Sequence, residues 1–265
     1  MNVLRVENLK VSYGEKEVLK GINFNIESGK IVSIIGPNGC GKTTLLKTIS
    51  RNLKPNEGKI LLNGKDVYKF KNKNLARIMA TLSQSNVCPD DVSIKELVSY
   101  GRYAHKKFFS GFTKEDEEII NWAISRTGLN EMKNRKVITL SGGERQRAWI
   151  AMAIAQKPSI LILDEPTTYL DISYQLELLD LIKSLNEKEK ITIVMVLHDI
   201  NQACKYSHEL IVIKNGYLYE KGSPSKIIND NMLKEVFRLK AYINEDKDTK
   251  KPIIYPKEVF SKLNI

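Results

Sequence analysis

The alternation of hydrophobic and polar residues changes along the chain and predicts two kinds of β-strand. Before residue 30, apolar residues alternate with polar ones, as Ile22, Phe24 and Ile26 do, which is typical of antiparallel strands with one buried face. The segments Ile31–Ile35 and Ile160–Leu163 are instead almost continuously apolar. Short runs of this kind indicate strands that a parallel sheet buries on both faces. The pattern therefore predicts an α/β fold, with a mostly parallel sheet and an N-terminal antiparallel β subdomain.

Helical patterning marks the region from about residue 87 to residue 158. Thr113 is an N-cap for a helix that we expect at residues 114–127, and Ser141 precedes a further helix. No linker rich in Pro, Gly or Ser separates this region from the rest. We therefore expect a helical subdomain inserted into a main domain of residues 1–230. Residues 231–265 are expected to form a C-terminal helix and an exposed polar tail.

The composition suits a folded protein that stays in the cytosol. The 265 residues are 42% hydrophobic, which is enough for a core, and no apolar run approaches the ~20 residues that cross a bilayer. The N-terminus lacks the pattern of a secretory signal. Cys40, Cys88 and Cys204 are widely separated and match no metal-binding pattern, so we expect free thiols.

The formal net charge of +11 could reflect binding to nucleic acid or to an anionic membrane surface. The lysines are spread along the chain, however, and no arginine-rich stripe with interleaved aromatic residues is present. We therefore interpret the charge as a solvated basic surface and predict no nucleic-acid partner.

A glycine-rich turn follows the first apolar strand. Gly36, Gly41, Lys42 and Thr43 fit the phosphate-loop pattern G-x-x-x-x-G-K-[ST]. The glycines let backbone N–H groups approach a polyphosphate, Lys42 supplies a positive charge to the terminal phosphates, and the Thr43 hydroxyl suits Mg²⁺. The following helix adds the positive end of its dipole. The chain is therefore predicted to bind a nucleoside triphosphate.

Polar side chains follow three further predicted strands. Asp164 and Glu165 come directly after one apolar run. Gln84 ends another strand, and His198 ends a third. Ligands bind at the carboxyl ends of strands in open α/β sheets. Asp164 and Gln84 suit Mg²⁺ ligands, and Glu165 suits a base or an orienter for an attacking water. His198 suits a donor to the terminal phosphate.

A capping box with two glycines begins the helix within residues 140–156. Ser141 and Glu144 form the S-x-x-E pair, and Gly142 and Gly143 leave the N–H groups of the first turn uncovered. Glycine in a helix costs up to about 1 kcal/mol, and an uncovered helix N-terminus is an anion site. This helix is therefore predicted to bind an anion.

Together these motifs resemble the ATP-binding cassette ATPases, over nearly the whole chain up to about Ser225. The resemblance implies a P-loop NTPase fold with a RecA-like sheet, the cofactors ATP and Mg²⁺, and hydrolysis of ATP. The implied ATP-binding residues are Tyr13, which would stack on the base, and Gly36, Pro37, Asn38, Gly39, Cys40, Gly41, Lys42, Thr43 and Thr44. The implied Mg²⁺ ligands are Thr43, Gln84 and Asp164, and the implied catalytic residues are Lys42, Glu165 and His198.

In that family two cassettes face each other head to tail, so that each ATP lies between the phosphate loop of one and the LSGGERQ segment of the other. The resemblance implies that this chain forms such a homodimer and that Asp171 lines the interface. It also explains the uncovered capping box, because the anion would belong to the partner subunit's ATP. The implied residues of this signature segment are Ser141, Gly142, Gly143, Glu144 and Gln146.

A single cassette without fused membrane spans is similar to the ATPase subunits of bacterial importers. Residues 101–109, 165–172 and 197–206 are similar to the subfamily that imports iron–siderophores, haem and cobalamin, and favour the siderophore branch. The implied partners are membrane permease subunits, which the segment after Gln84 would meet, and indirectly a substrate-binding protein. The implied location is the cytoplasmic face of the membrane. Cys40 and Tyr169 depart from the residues commonest at their positions.

Three alternatives stay open at this stage. The cargo could be haem or cobalamin instead of an iron–siderophore. An exporter or regulatory cassette would share all the catalytic motifs. The net charge could also belong to a soluble ATPase of the same family that acts on DNA or ribosomes, although the long coiled coils or second cassette of such relatives are missing here.

Overall fold

The computed structural model describes residues 2–84, 86–106 and 111–260. Residues 107–109, which belong to one of the three subfamily stretches, and the last five residues of the predicted tail lie outside the described residues. The chain divides into two compact units. The first comprises the residues up to Tyr68 and those from Val194 onward, and the second comprises Lys69–Ile193.

Twelve strands and nine α-helices are present among the described residues. The strands are β1 (Asn2–Tyr13), β2 (Lys16–Glu27), β3 (Ile31–Ile35), β4 (Glu57–Leu62), β5 (Lys65–Asp66), β6 (Met79–Leu82), β7 (Ile160–Leu163), β8 (Thr192–Val196), β9 (Glu209–Lys214), β10 (Tyr217–Gly222), β11 (Leu239–Glu245) and β12 (Pro252–Val259). The helices are α1 (Lys42–Ile49), α2 (Asn72–Ala76), α3 (Ile94–Tyr100), α4 (Lys114–Arg126), α5 (Gly142–Ala155), α6 (Ile172–Glu189), α7 (Ile200–Tyr206), α8 (Pro224–Ile227) and α9 (Asp230–Met232).

An antiparallel sheet of order β2-β1-β4-β5 forms one part of the first unit. Val6 lies at its centre and pairs with Phe24 on one side and Ile60 on the other. All three side chains are buried, because residues directly opposite each other on paired strands point to the same face of the sheet. The predicted N-terminal antiparallel strands are therefore confirmed.

Parallel pairing in the same unit positions the glycine-rich turn. Strand β3 pairs in parallel with β9, and β9 pairs with β10 in an antiparallel hairpin. All five residues of β3 are buried, as expected for a strand covered on both faces. The residue that follows β8 lies beside the end of β3, since Leu197 N donates to Ile34 O at 3.4 Å.

The second unit combines a parallel strand pair with a group of helices. Strands β6 and β7 pair in parallel, with Leu82 opposite Leu163. Helix α5 packs against α3, α4 and β6, and its Ile150 and Ile154 are fully buried. Helices α3 and α4 each begin with a capping box, at Ser93 and Thr113. The predicted helical insert thus lies in one compact unit with β6, β7 and α6.

The C-terminal part differs from the predicted tail. A π-helical segment, Leu233–Phe237, continues α9, and the chain then forms the antiparallel hairpin of β11 and β12. The polar residues that suggested a tail occupy the turn between these strands. Asp246 organises this turn by accepting hydrogen bonds from the backbone N–H and the hydroxyl of Thr249. These residues are mostly exposed, as expected, but they form the turn of a hairpin instead of a tail.

The parallel and antiparallel strands, with their surrounding helices, confirm the predicted α/β class. Strand pairing is parallel for β3 with β9 and for β6 with β7. Among the described residues, every helix is too short or too polar to serve as a membrane span.

Candidate active site

The glycine-rich turn between β3 and α1 depends on glycine at two positions. A Cβ atom on Gly36 would lie 2.1 Å from Ile213 O and 2.8 Å from Cys40 Sγ. Gly41 is the N-cap of α1 with φ of 107°, and a Cβ atom there would lie 2.7 Å from Leu19 Cδ2. Side chains at either position would force the loop apart. The two glycines therefore allow the compact turn that the phosphate-loop motif requires.

Lys42 lies within this turn at the start of α1. Its Nζ donates to Gly36 O at 2.9 Å and to Pro37 O at 3.0 Å, and the residue is only 5% exposed. The ammonium group is thus held against the loop backbone, at the helix end that carries positive dipole charge. A polyphosphate bound by the loop would meet this charge.

Two other predicted ATP-binding residues have different environments. Tyr13, at the end of β1, is half exposed, as stacking on a nucleobase requires. Cys40 is buried, and its carbonyl accepts a hydrogen bond from Gly216 N. Burial raises the pKa of the Cys40 thiol, although the charge of Lys42 opposes this. A buried thiol with a raised pKa reacts slowly, which agrees with a space-filling role.

His198 lies in the first unit, between strand β8 and helix α7. The preceding residue is tied to β3 by the hydrogen bond of Leu197 N with Ile34 O. The following residue, Asp199, is the N-cap of α7 and accepts a hydrogen bond from Gln202 N at 2.9 Å. His198 is therefore exposed at the carboxyl end of a strand next to β3, the strand that leads into the phosphate loop.

The second unit brings Gln84 and Glu165 together. Gln84 Nε2 donates to Glu165 Oε2 at 2.7 Å, because the parallel pairing of β6 and β7 places both strand ends at one edge. Thr168 Oγ1 donates to the same oxygen at 3.3 Å. Glu165 also has a positive φ of 52°, a conformation that costs a non-glycine residue roughly 1–2 kcal/mol. The carboxylate is thus fixed by two neutral donors at a strained backbone position.

Thr168 is a residue that the motifs missed. Its signal was present in the sequence, since it lies three residues after Glu165 and a turn brings such residues together. Thr168 N donates to Glu165 O within this turn.

Asp164, which precedes Glu165 at the end of β7, is 8% exposed. Its backbone N–H donates to Leu82 O at 3.0 Å, so the backbone at the start of this acidic turn is tied to β6.

The predicted capping box at the start of α5 is present. Ser141 Oγ accepts from Glu144 N at 3.3 Å, while Ser141 N and Ser141 Oγ donate to Glu144 Oε2 at 2.8 and 2.9 Å. The bonds from the Ser141 backbone N–H and hydroxyl hold the pKa of Glu144 below its usual value. Gly142 is exposed, and a Cβ atom on Gly143 would lie 3.0 Å from Tyr174 Cδ1. The prediction of an uncovered first turn therefore holds at Gly142, whereas Gly143 is buried against Tyr174. Gln146 lies one turn further along α5.

Removing the cap should cost stability even without nucleotide. The Ser141→Ala variant loses the side-chain acceptor for Glu144 N, and we expect the free energy of unfolding to fall by about 1 kcal/mol. Urea titration of the isolated protein measures this change. The Ser173→Ala variant, in the first turn of the neighbouring helix α6, is the matched control. An unchanged midpoint for Ser141→Ala would show that the capping box contributes nothing.

A surface apolar cluster lies next to the signature segment within the second unit. Tyr169 is 91% exposed and has a positive φ of 65°, and Ile172 is 74% exposed. Asp171 between them is the N-cap of α6, yet its carboxylate makes no capping hydrogen bond. Leu170 approaches the signature segment, where a Cβ atom on Gly142 would lie 3.4 Å from its side chain. Both apolar side chains are therefore accessible to a partner.

The donor atoms of the predicted metal ligands suit Mg²⁺. Thr43, Gln84 and Asp164 offer hydroxyl, amide and carboxylate oxygens, which are the ligands that hard cations take. In the part of the chain that the structure describes, no three His, Cys, Asp or Glu side chains cluster as a metal site of their own. Mg²⁺ is usually bound through one or two carboxylates together with substrate phosphates and waters. Each of these donors is therefore of the kind that Mg²⁺ takes when it arrives with a nucleotide.

Comparison with known proteins agrees with this geometry. Residues 19–168, which include the phosphate loop, the signature segment and the acidic turn, match the family model described as ABC transporter. The iron(3+)-hydroxamate import ATP-binding protein FhuC of Bacillus subtilis is 45% identical, over 96% of this chain and 94% of that protein.

Two solved structures are similar to this chain. One is described as an inward-facing conformation of a metal-chelate type ABC transporter, with a TM-score of 0.84, 26% identity and coverage of 99% of this chain and 100% of that one. The other is a dimeric structure of MJ0796, a bacterial ABC transporter cassette, with a TM-score of 0.73, 30% identity and coverage of 83% and 98%. The chain belongs to the ABC transporter family, and the predicted family is confirmed.

Proposed function

We propose that the chain is the ATP-hydrolysing subunit of an importer that takes up a metal chelate, most specifically an iron–siderophore. The observation that carries the hydrolysis in this proposal is the acidic turn after β7, where Gln84 and Thr168 both hold the carboxylate of Glu165. A phosphate loop alone fits many nucleotide-binding proteins, whereas a fixed carboxylate next to Asp164 adds the means to activate water. The similarity to the FhuC protein supports an import role.

The residues of the first unit bind the nucleotide in this proposal. The loop backbone and Lys42 hold the phosphates, and Tyr13 stacks on the base. His198 donates a hydrogen bond to the terminal phosphate. Thr43, together with Asp164 and Gln84 of the second unit, would supply oxygen ligands to Mg²⁺, which neutralises charge at the phosphates when it is bound.

Glu165 acts as the base or orienter for the attacking water. Gln84 and Thr168 donate to one of its two oxygens, Oε2. The backbone strain at Glu165 and these two hydrogen bonds fix its side chain in advance, which lowers the entropy that hydrolysis must lose. Gln84 is thus a positioning residue for Glu165 as well as a candidate Mg²⁺ ligand.

The exposed N-terminus of α5 supports a homodimer. Its first turn presents the backbone of Gly142, which is exposed, and such a helix end favours an anion. We infer that the anion is the terminal phosphate of the ATP bound by a second copy. The related cassette MJ0796 has been solved as a dimer.

Tyr169 provides a test of this dimer. Its side chain is 91% exposed and adjoins Asp171, so Tyr169→Ala should leave the stability of the isolated subunit within about 0.5 kcal/mol. If the ring contacts the partner subunit, the same change should weaken ATP-dependent dimerisation about tenfold. Analytical ultracentrifugation with ATP and Mg²⁺, in a Glu165→Gln background, measures the dimer. Tyr255→Ala removes an equally large half-exposed ring elsewhere and is the control. An unchanged dimerisation constant would exclude Tyr169 from the interface.

Growth and uptake experiments distinguish the three candidate cargoes, which are an iron–siderophore, haem and cobalamin. Cells that lack this chain should lose growth on a ferric siderophore as the iron source and regain it with the parent sequence. Growth on haem and uptake of labelled cobalamin are measured in the same strains. Normal siderophore use with loss of either other cargo would contradict the iron–siderophore assignment. The proposed location, on the cytoplasmic face of the membrane through permease subunits, predicts that the chain co-purifies with washed membranes.

A further inference from the structure

The C-terminal hairpin, formed by β11 and β12, is bound to both ends of helix α7. Near the helix N-terminus, Asn201 Nδ2 donates to Ile254 O at 3.0 Å, and Ile254 N donates to Asn201 Oδ1 at 2.7 Å. This reciprocal pair reproduces the contacts that a neighbouring strand makes. At the other end, Lys251 Nζ donates to Lys205 O at 2.9 Å and Ser207 O at 2.8 Å. These carbonyls lie at the helix terminus, where intrahelical partners are lacking.

Helix α7 depends on such contacts because it is short. It has only seven residues, and helices of this length are marginal in water without tertiary packing. Its Ala203 and Cys204 are fully buried, and Ile254 of the hairpin is 3% exposed. Strand β12 therefore supplies both packing and hydrogen bonds to this helix.

His198 precedes this helix by two residues. On its upstream side the chain is tied to β3 through Leu197 N. On its downstream side Asp199 caps α7, and Asn201 already contacts the hairpin. A residue between two such anchors has little backbone freedom. The placement of His198 thus depends on the hairpin as well as on the strands.

The same C-terminal segment also adjoins the phosphate loop. A cavity of about 340 Å³ lies between loop residues 37–40 and residues 235–238. Arg238 leads directly into β11, and Phe260 N donates to Arg238 O at 2.7 Å at the base of the hairpin. The hairpin therefore runs from the neighbourhood of the phosphate loop to the far end of α7.

We propose that the C-terminal hairpin positions His198 for ATP hydrolysis and that Asn201 and Lys251 are the positioning residues. This inference rests on the proposed function, because it takes His198 to contact the terminal phosphate. It assigns a role to the hairpin that the nucleotide-binding motifs do not supply.

Steady-state hydrolysis and nucleotide binding test this role. Asn201→Ala and Lys251→Met each remove two hydrogen bonds, and we expect kcat to fall about fivefold. The Kd for a fluorescent ATP analogue should stay within about twofold, since Lys42 and the loop are unchanged. Lys251→Arg keeps donors for both carbonyls and should retain most of the parent rate. Lys257→Met, on the same hairpin, is the matched control and should retain the parent rate.

Cys204 reports directly on the anchoring of α7. Burial raises the pKa of this thiol to about 12, so at pH 8 almost none of it is the reactive thiolate. Alkylation by iodoacetamide, followed by peptide mass spectrometry, should be slow in the parent and in Lys257→Met. It should be faster in Asn201→Ala and Lys251→Met, because release of α7 exposes the thiol. Equal alkylation rates in all four proteins would overturn the proposed anchoring.

A double-mutant cycle separates positioning from general damage. In a His198→Ala background, single-turnover hydrolysis should be unaffected by Asn201→Ala, since the residue that it positions is gone. Equal losses in both backgrounds, or an unchanged kcat in the parent background, would overturn the proposal. If Asn201→Ala is too unstable to purify, Lys251→Met and Lys251→Arg carry the same cycle. A parent protein without ATPase activity would instead contradict the proposed function itself.

Discussion

Replacing Glu165 with Gln is expected to leave ATP binding intact and to slow hydrolysis about 100-fold or more. The amide keeps the size of the side chain but cannot accept a proton from water. The two donors that hold the carboxylate, Gln84 and Thr168, act on Oε2, and an amide oxygen can still accept from them. The variant should therefore keep its fold and accumulate as an ATP-bound dimer. Phosphate release and size-exclusion chromatography with ATP measure the two effects.

Glu187→Gln is the control for this prediction. Glu187 lies on the exposed side of α6 and pairs only loosely with Lys183, at 3.8 Å, so the same chemical change there should leave the rate unaltered. Hydrolysis by Glu165→Gln at the parent rate would show that Glu165 is not the base. Loss of ATP binding in that variant would point to a structural defect.

Lys42→Ala should weaken ATP binding roughly 10- to 100-fold, because a charged hydrogen bond to the phosphates is lost. Lys42→Ala is expected to raise the Kd for ATP and also to slow hydrolysis, whereas Glu165→Gln is expected to slow hydrolysis alone. Titration of a fluorescent ATP analogue in the presence of Mg²⁺ measures it. Lys47→Ala, at the exposed end of the same helix, is the matched control.

Loss of Lys42 also removes the two bonds from its Nζ to the loop carbonyls of Gly36 and Pro37. The Lys42→Met variant keeps the aliphatic stem, and thermal unfolding of both variants shows whether the loop still folds. Parent-like affinity in either variant would contradict the role of Lys42 as a phosphate ligand.

The local motifs were predictable from the sequence because short-range geometry determines them. The capping box at Ser141 follows from residues three apart. The turn at Gly36 follows from the space that only glycine leaves. The parallel strands were likewise readable from apolar runs, and β3 and β7 are buried throughout. These features need little knowledge of the rest of the fold.

Contacts between distant residues were harder to predict. The bond between Gln84 and Glu165 spans 81 residues. Strand order could suggest that both lie at one sheet edge, but not that the amide contacts the carboxylate. The role of Thr168 was not predictable for a related reason. Threonine is common in turns, and the sequence does not specify which group its hydroxyl will contact.

The C-terminal hairpin could not be predicted because its stability comes from elsewhere in the chain. Strand β11 exposes Lys240, Tyr242 and Asn244, a polar composition that looks like a solvated tail. Asn201 and the packing of Ile254 against α7 stabilise it instead. Long-range burial of this kind overrides local polarity.

Uptake of iron-labelled siderophore tests whether ATP hydrolysis by this chain powers import. Cells of the source organism would carry either the parent sequence or Glu165→Gln as their only copy, with equal protein amounts shown by immunoblot. We predict uptake with the parent and its loss with the variant, because the variant binds ATP without hydrolysing it. Uptake at the parent rate in the Glu165→Gln strain would show that this chain is not the ATPase that powers siderophore import.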